Sequence, residues 1–221
     1  MNTIFLMGDS TCQTNDETTF PQVGWGQFLQ EYINCSYKVV NLAKNGRSSK
    51  SFIDEGLYKP CLESIKKGDF LFIQFGHNDE KNDPSRATSP FTTYLDNLRF
   101  LISIAKNAGA TPVLLSSIYR RHFINGKIVD NCHLDYPKAM EELSKKENVI
   151  YIDMCSLTKD YLQSIGEEAS KELFMNFPSL TYPLYPKGKE DNTHLREKGA
   201  RVVLSLLISS IKQYKELSII L

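Results

Sequence analysis

IFLMGDSTCQT, residues 4–14, begins as a buried strand and stops abruptly. Ile4 to Met7 form a continuous apolar run, the mark of a strand covered on both faces rather than one with a wet side. Gly8, Asp9 and Ser10 follow at once, and all three are turn residues. The segment therefore places a serine at the exit of a buried strand. Two readings compete: a turn that caps the next element, or a nucleophile held at a strand end.

Outward from this segment, short runs rich in Ile, Val, Leu and Phe alternate with longer stretches of helical period. Strands are predicted near 3–7, 37–42, 69–75, 112–117 and 148–152, and helices near 25–34, 51–66, 90–108, 135–147, 154–175 and from His194 to about 215. Alternation of this kind specifies an α/β fold: a three-layer α/β/α sandwich around a central five-stranded parallel sheet of flavodoxin-like type. The Asn125–Gly126 pair within RRHFINGKIVDN, residues 120–131, predicts a hairpin with a type I′ turn. Residues 176–193, dense in Pro, Gly and Tyr, read as a long surface loop leading to Asp191 and His194.

Bulk composition narrows the function classes. With 221 residues and no break in composition, one domain over 1–221 is expected. Lys and Arg number 26 against 26 Asp and Glu, so there is no electrostatic footprint for nucleic acid or an anionic membrane surface. No apolar run reaches the roughly 18 residues that would span a bilayer. The first strand starts almost at Met1, which predicts a cytoplasmic protein, or a secreted or periplasmic one had a leader been removed. The five cysteines, Cys12, Cys35, Cys61, Cys132 and Cys155, lack C-x-x-C spacing and read as mostly buried thiols. Oligomeric state is not legible.

In an open parallel sheet, ligands bind outside the carboxyl ends of the strands. Three consecutive strands there lead into polar, glycine-containing loops: Gly8-Asp9-Ser10, then NLAKNGRSS over 41–49, then Gly76-His77-Asn78-Asp79. Serine chemistry also needs a base, a carboxylate to orient it and donors for an oxyanion. Asp191 and His194, at i and i+3, can stand on one face of a helical turn, the carboxylate receiving Nδ1–H and leaving Nε2 toward the serine. The structural alternative is that Asp191 or Asn192 caps the following helix. Among the other histidines, His77 is expected to shape its turn through backbone partners. His122 and His133 are expected at the surface or a pocket rim. Cys12 is the rival nucleophile of a Cys-His hydrolase. Neither a cofactor nor a metal site is predicted, a set of His77, Asp79, Asp191 and His194 being improbable.

The blocks GDS at 8–10, the glycine of NGRSS at 46, GHND at 76–79 and DNTH at 191–194 resemble, in order and spacing, those of the SGNH (GDSL-type) hydrolases. GWGQ at 24–27, NGRSSKSFIDEG at 45–56, GDFLFIQFGHND at 68–79, Arg120-Arg121 with Phe123, and Tyr136-Pro137 are similar to the rhamnogalacturonan acetylesterase family. The resemblance implies Ser10 as nucleophile, His194 as general base and then acid, and Asp191 as orienting carboxylate. It implies an oxyanion hole from the Ser10 and Gly46 backbone N–H groups and the Asn78 amide. The expected activity is removal of O-acetyl groups from pectic (rhamnogalacturonan) oligosaccharides through an acyl-enzyme. Arg47, Arg120 and Arg121 are the expected contacts to an anionic substrate, with Lys50 on the same rim. The alternatives are a lipase, lysophospholipase or thioesterase on the same fold, or a carbohydrate-binding protein without catalysis.

Overall fold

The structure, a computed structural model, describes residues 1–221. Its strands are β1 (Asn2–Gly8), β2 (Tyr37–Asn41), β3 (Phe70–Gln74), β4 (Thr111–Leu115), the short pair β5 (Phe123–Ile124) and β6 (Lys127–Ile128), and β7 (Ile150–Ile152). Five of them form one parallel sheet in the order β2-β1-β3-β4-β7. The helices are α1 (Ser49–Asp54), α2 (Lys59–Leu62), α3 (Thr93–Asn107), α4 (Tyr136–Glu147), α5 (Met154–Ser170) and α6 (Glu197–Ile211). The expected α/β/α sandwich is therefore present.

Side-chain alternation builds the three layers. Ile4 and Leu6 of β1, Phe70 and Phe72 of β3, and Val113 and Leu115 of β4 face one way, into a core shared with Trp25, Leu29, α5 and α6. Phe5, Met7, Leu71, Ile73 and Leu114 face the other way, against Phe52, α3 and α4. Burying one such side chain contributes roughly 1.5–3 kcal/mol, and both faces of every central strand do so. That is why these strands read as unbroken apolar runs.

The strand order sets the site. The chain steps from β1 outward to β2, then returns to β3 on the other flank of β1, so the connection reverses between β1 and β3. A reversal of this kind opens a crevice at the carboxyl ends of the two strands. Register brings those ends level: Gly8 pairs with Gln74, and Gln74 with Leu115. Ser10 and Asn78 leave from adjacent strands.

Several boundaries differ from expectation. The helix predicted over 51–66 is two short helices interrupted around Gly56, and residues 25–32 form a 3-10 helix. The helix predicted over 154–175 ends at Ser170 and is broken at Gly166, whose φ of 81° lies in the left-handed region that glycine tolerates. The hairpin is as expected, with Phe123 opposite Ile128 and positive φ at both Asn125 and Gly126. No helix is long and apolar enough to cross a membrane.

Candidate active site

Ser10 leaves β1 in a turn closed by the Asp9 carbonyl, which accepts from the backbone N–H groups of Cys12 and Gln13 at 3.1 and 3.0 Å. Asp9 is buried; its Oδ1 accepts from the Thr11 N–H at 2.9 Å and the Thr11 hydroxyl at 2.8 Å. Burial raises its carboxyl above the ordinary range, opposed by the Thr11 bonds and by the charge of nearby His194. Below the turn, Gln74 forms a floor. Its Oε1 accepts from the Trp25 indole at 2.8 Å, and its Nε2 donates to the Ser116 carbonyl at 3.1 Å.

The loop after β2 is laced to this turn. Lys44 N–H donates to the Gly8 carbonyl at 3.0 Å, Asn41 Nδ2 to the Cys12 carbonyl at 2.8 Å, and Asn45 N–H to Gln13 Oε1. Gly46 follows at φ +76°, a conformation that would strain any residue with a Cβ although space for one exists. Neither the Ser10 nor the Gly46 backbone N–H donates within the chain. Both remain available as donors.

The loop after β3 is tied in turn to the second. Asn78 Nδ2 donates to the Arg47 carbonyl at 3.0 Å, and Arg86 approaches Asn78 Oδ1 at 3.5 Å. With one amide hydrogen committed, the other is free for an incoming oxygen. Asp79 clamps the start of α1, receiving the Ser49 N–H at 3.1 Å and the Ser49 hydroxyl at 2.5 Å. Burial pushes its carboxyl up to about 7 against those bonds.

Asp191 and His194 come from the long loop after α5, where they form a turn rather than a helix. Asp191 Oδ2 lies 2.7 Å from His194 Nδ1, while Oδ1 accepts the Thr193 and His194 N–H groups, each at 2.9 Å. Burial works against ionisation of Asp191, yet the His194 bond and charge and the two backbone donors hold its carboxyl far below the usual range. The imidazole is thereby oriented, with Nε2 unoccupied. No direct hydrogen bond joins His194 to Ser10 in this structure. The N-cap expectation is corrected: α6 begins after Arg196, and Asp191 caps only its own turn.

Three other expectations change. His77 has no backbone partners: it is buried with both ring nitrogens unpaired, packs edge-on against His133 at 4.5 Å, and burial drives its pKa well down. His133 is 1% exposed rather than at a rim, because it pairs with Glu80 beneath the loop. Arg120 and Arg121 do not stand free at a substrate rim. Arg121 is buried and donates to Ser170 Oγ, Asn192 Oδ1 and the Glu167 carbonyl at 3.0, 3.0 and 2.6 Å. Arg120 donates to Thr193, Glu80 and the His77 carbonyl. A guanidinium offers five donors in a fixed fork, and an internal loop carbonyl or hydroxyl competes well for them. His122 is exposed, as expected.

Cys12 is a poor nucleophile. It is fully buried, and burial with the nearby Asp9 charge pushes its thiol well above the ordinary range. His77, Glu80 and His133 place ligand-capable atoms within 4.8 Å of one another. Glu80, however, already faces two cationic partners, Arg120 at 2.7 Å and His133 at 3.1 Å. A cation there would enter beside positive charge. Beside Gly46 lies an open groove of about 520 Å³ lined without apolar side chains, with Arg47, Lys50 and Arg86 among its walls. Sequence reasoning missed Gln74, Glu80 and Thr193; their only signal was position next to the motifs.

These groups suit acyl transfer: a serine at a strand exit, an oriented imidazole, two backbone N–H groups without internal acceptors and the uncommitted amide hydrogen of Asn78. The GDSL-like lipase/acylhydrolase family model matches residues 4–207. Rhamnogalacturonan acetylesterase RhgT of Bacillus subtilis is 39% identical, over 95% of this chain and 89% of its own. Probable rhamnogalacturonan acetylesterase YesY of the same organism is also 39% identical, over 96% and 93%. The crystal structure of Bacillus subtilis YxiM superposes with a TM-score of 0.82 at 27% identity, covering 96% of this chain, which spans 56% of that one. The acetylxylan esterase Axe2 of Geobacillus stearothermophilus shares the fold, with a TM-score of 0.65 at 13% identity over 98% and 94% of the two chains. The chain is an esterase and belongs to the GDSL-like lipase/acylhydrolase family, the SGNH hydrolases.

Proposed function

We propose that the protein removes O-acetyl groups from rhamnogalacturonan oligosaccharides, with Ser10 as nucleophile. The observation that carries the reading is the Asp191 Oδ2–His194 Nδ1 contact of 2.7 Å, its carboxylate fixed by two backbone N–H groups. His194 Nε2 takes the proton of the Ser10 hydroxyl as Oγ bonds to the acetyl carbon. The carbonyl oxygen, now negative, is received by the Ser10 and Gly46 N–H groups and the Asn78 amide. Collapse breaks the bond to the sugar oxygen, which takes the proton from His194. Water then attacks the acetyl-enzyme by the same route, releasing acetate and restoring Ser10.

The choice of sugar over lipid rests on the groove beside Gly46. An acyl chain would need an apolar channel, whereas the walls here include Arg47, Lys50, Asp54, Glu55 and Arg86. Arg47 is one-third exposed and paired with Glu55 at 2.9 Å, an ion pair of small worth that an incoming uronate can replace. The RhgT and YesY names supply the pectic substrate. Acetate release is measured from acetylated rhamnogalacturonan oligosaccharides, acetylated xylan and a long-chain acyl ester. The reading expects the first to be preferred and the Ser10→Ala variant to be inert on all; preference for the acyl ester would overturn it.

A further inference from the structure

The reaction above uses neither Glu80, which follows the Gly76–Asp79 block, nor Thr193, which lies between Asp191 and His194. Arg120 joins them. Its Nη1 donates to Thr193 Oγ1 at 2.7 Å, and its Nη2 donates to Glu80 Oε1 at 2.7 Å and to the His77 carbonyl at 3.2 Å. Glu80 Oε2 lies 3.1 Å from His133 Nδ1, and His133 Nε2 is 2.8 Å from the Ile118 carbonyl. A carbonyl only accepts, so Nε2 carries a proton. Nδ1 faces a carboxylate and carries one too. Glu80 is therefore an anion held between an imidazolium and a guanidinium, all three largely out of solvent.

The geometry points to Arg120 as a positioning residue that locks the turn bearing Asp191 and His194 in register with the loop bearing Asn78, anchored by the buried Glu80–His133 pair. The inference rests on the proposed roles of Ser10, Asn78, Asp191 and His194. Arg121 does a different job: it grips Asn192 from the side of α5 and makes no hydrogen bond to the Asn78 loop. Arg120 alone of the two reaches both. The general base and the oxyanion donor must hold one reacting carbonyl between them, and a misplacement of about 1 Å costs roughly a hundredfold in rate. A charge-assisted bond at each end of one planar guanidinium fixes both distance and angle, which a lysine ammonium does not.

The test is steady-state kinetics on p-nitrophenyl acetate and on acetylated rhamnogalacturonan oligosaccharides, with Ser10→Ala, Arg120→Ala, Arg120→Lys, Thr193→Val and the Arg120→Ala/Thr193→Val double variant. Arg120→Ala is expected to lower kcat by about 10- to 100-fold, by the same factor on both substrates, with KM within about twofold of wild type. Arg120→Lys should recover part of the loss. Thr193→Val, nearly isosteric, should lower kcat several-fold alone and add nothing to Arg120→Ala, since the bond it removes is already gone. A rise in KM confined to the acidic oligosaccharides overturns the inference in favour of a substrate contact. So does a fall in melting temperature with kcat unchanged, or independent, multiplicative losses for the two substitutions. Activity retained by Ser10→Ala would instead overturn the nucleophile assignment itself, a result the Arg120 series cannot imitate.

Discussion

Two turns meet at the carboxyl edge of the sheet, and they are held by different means. The Ser10 turn grows directly from β1 and is fixed by backbone: the Asp9 carbonyl closes it, and the Gly8, Thr11 and Gln13 carbonyls take the N–H groups of Lys44, Trp25 and Gly24. The Asp191–His194 turn has no strand beneath it. Backbone contacts from Met175 and Arg121 reach it, but side chains do much of the holding: Arg120 on Thr193, Arg121 and Asn176 on Asn192. No single side-chain substitution removes a backbone bond, so the position of Ser10, the proposed nucleophile, is robust to mutation. The position of His194, the proposed base, depends on residues far away in sequence, and each is a point of failure.

Substitutions can break this comparison. The largest effect is expected from Ser10→Ala, which removes the proposed nucleophile while leaving the backbone-held turn intact. Hydrolysis of p-nitrophenyl acetate should fall by at least about a thousandfold with the melting temperature unchanged; more than a few per cent residual activity would sink the assignment. Asp191→Asn keeps an Oδ1 for the two backbone donors but turns an N–H toward His194 Nδ1. A loss in kcat of about 10²- to 10⁴-fold without unfolding is expected, and a stopped-assay comparison at saturating substrate measures it. Asn78→Ala deletes one of the proposed oxyanion donors and should cost about 10²- to 10³-fold in kcat with little change in KM.

Smaller effects sharpen the contrast through stability. Arg121→Met removes one side-chain hydrogen bond to the Asp191–His194 turn, at Asn192 Oδ1, and two to the end of α5, at Ser170 Oγ and the Glu167 carbonyl, leaving Asn192 Oδ1 with Asn176 alone and the Glu167 carbonyl with Ser170 alone. It should destabilise by about 2–4 kcal/mol, read from the urea midpoint; no shift would mean that the turn is held by its backbone after all. The last effect is one of pH. Burial alone would lower the pKa of His133, but hydrogen bonds to Cys132 and Glu80 and the Glu80 charge raise it to about 9. A folded value above the unfolded one of about 6.5 gives stability that is complete below about 6.5 and lost as pH rises through about 9. The contribution is on the order of 1–3 kcal/mol. Urea unfolding at pH 6 and pH 10 should show it in wild type and not in His133→Gln; equal slopes in both proteins would remove His133 from the account.

How far the site was legible follows from the same contrast. Ser10, Gly46 and Asn78 stand just past strands whose apolar runs announce themselves, so reading the sheet was enough to bring them to one edge. Asp191 and His194 were legible as a pair because their spacing carries the contact within four residues. Arg120 and Arg121 were misplaced at a substrate rim because a charged pair after a strand looks the same from the sequence whether it faces water or its own loops. His133 was misread for the same reason: its partner, Glu80, lies 53 residues away.

The sequence by itself determined the alternation of buried strands and helices, the type I′ turn at Asn125–Gly126 and the motif residues, because each depends on local periodicity or backbone preference. Tertiary structure alone decided which donors remain free and which are committed. It set the Ser10 and Gly46 N–H groups without internal acceptors, Arg121 inside the fold, and Glu80 between Arg120 and His133. Hydrogen-bond and charge partners are chosen by distance in space, and loop closure over tens of residues is set by the packed sheet beneath, which no local window of sequence contains.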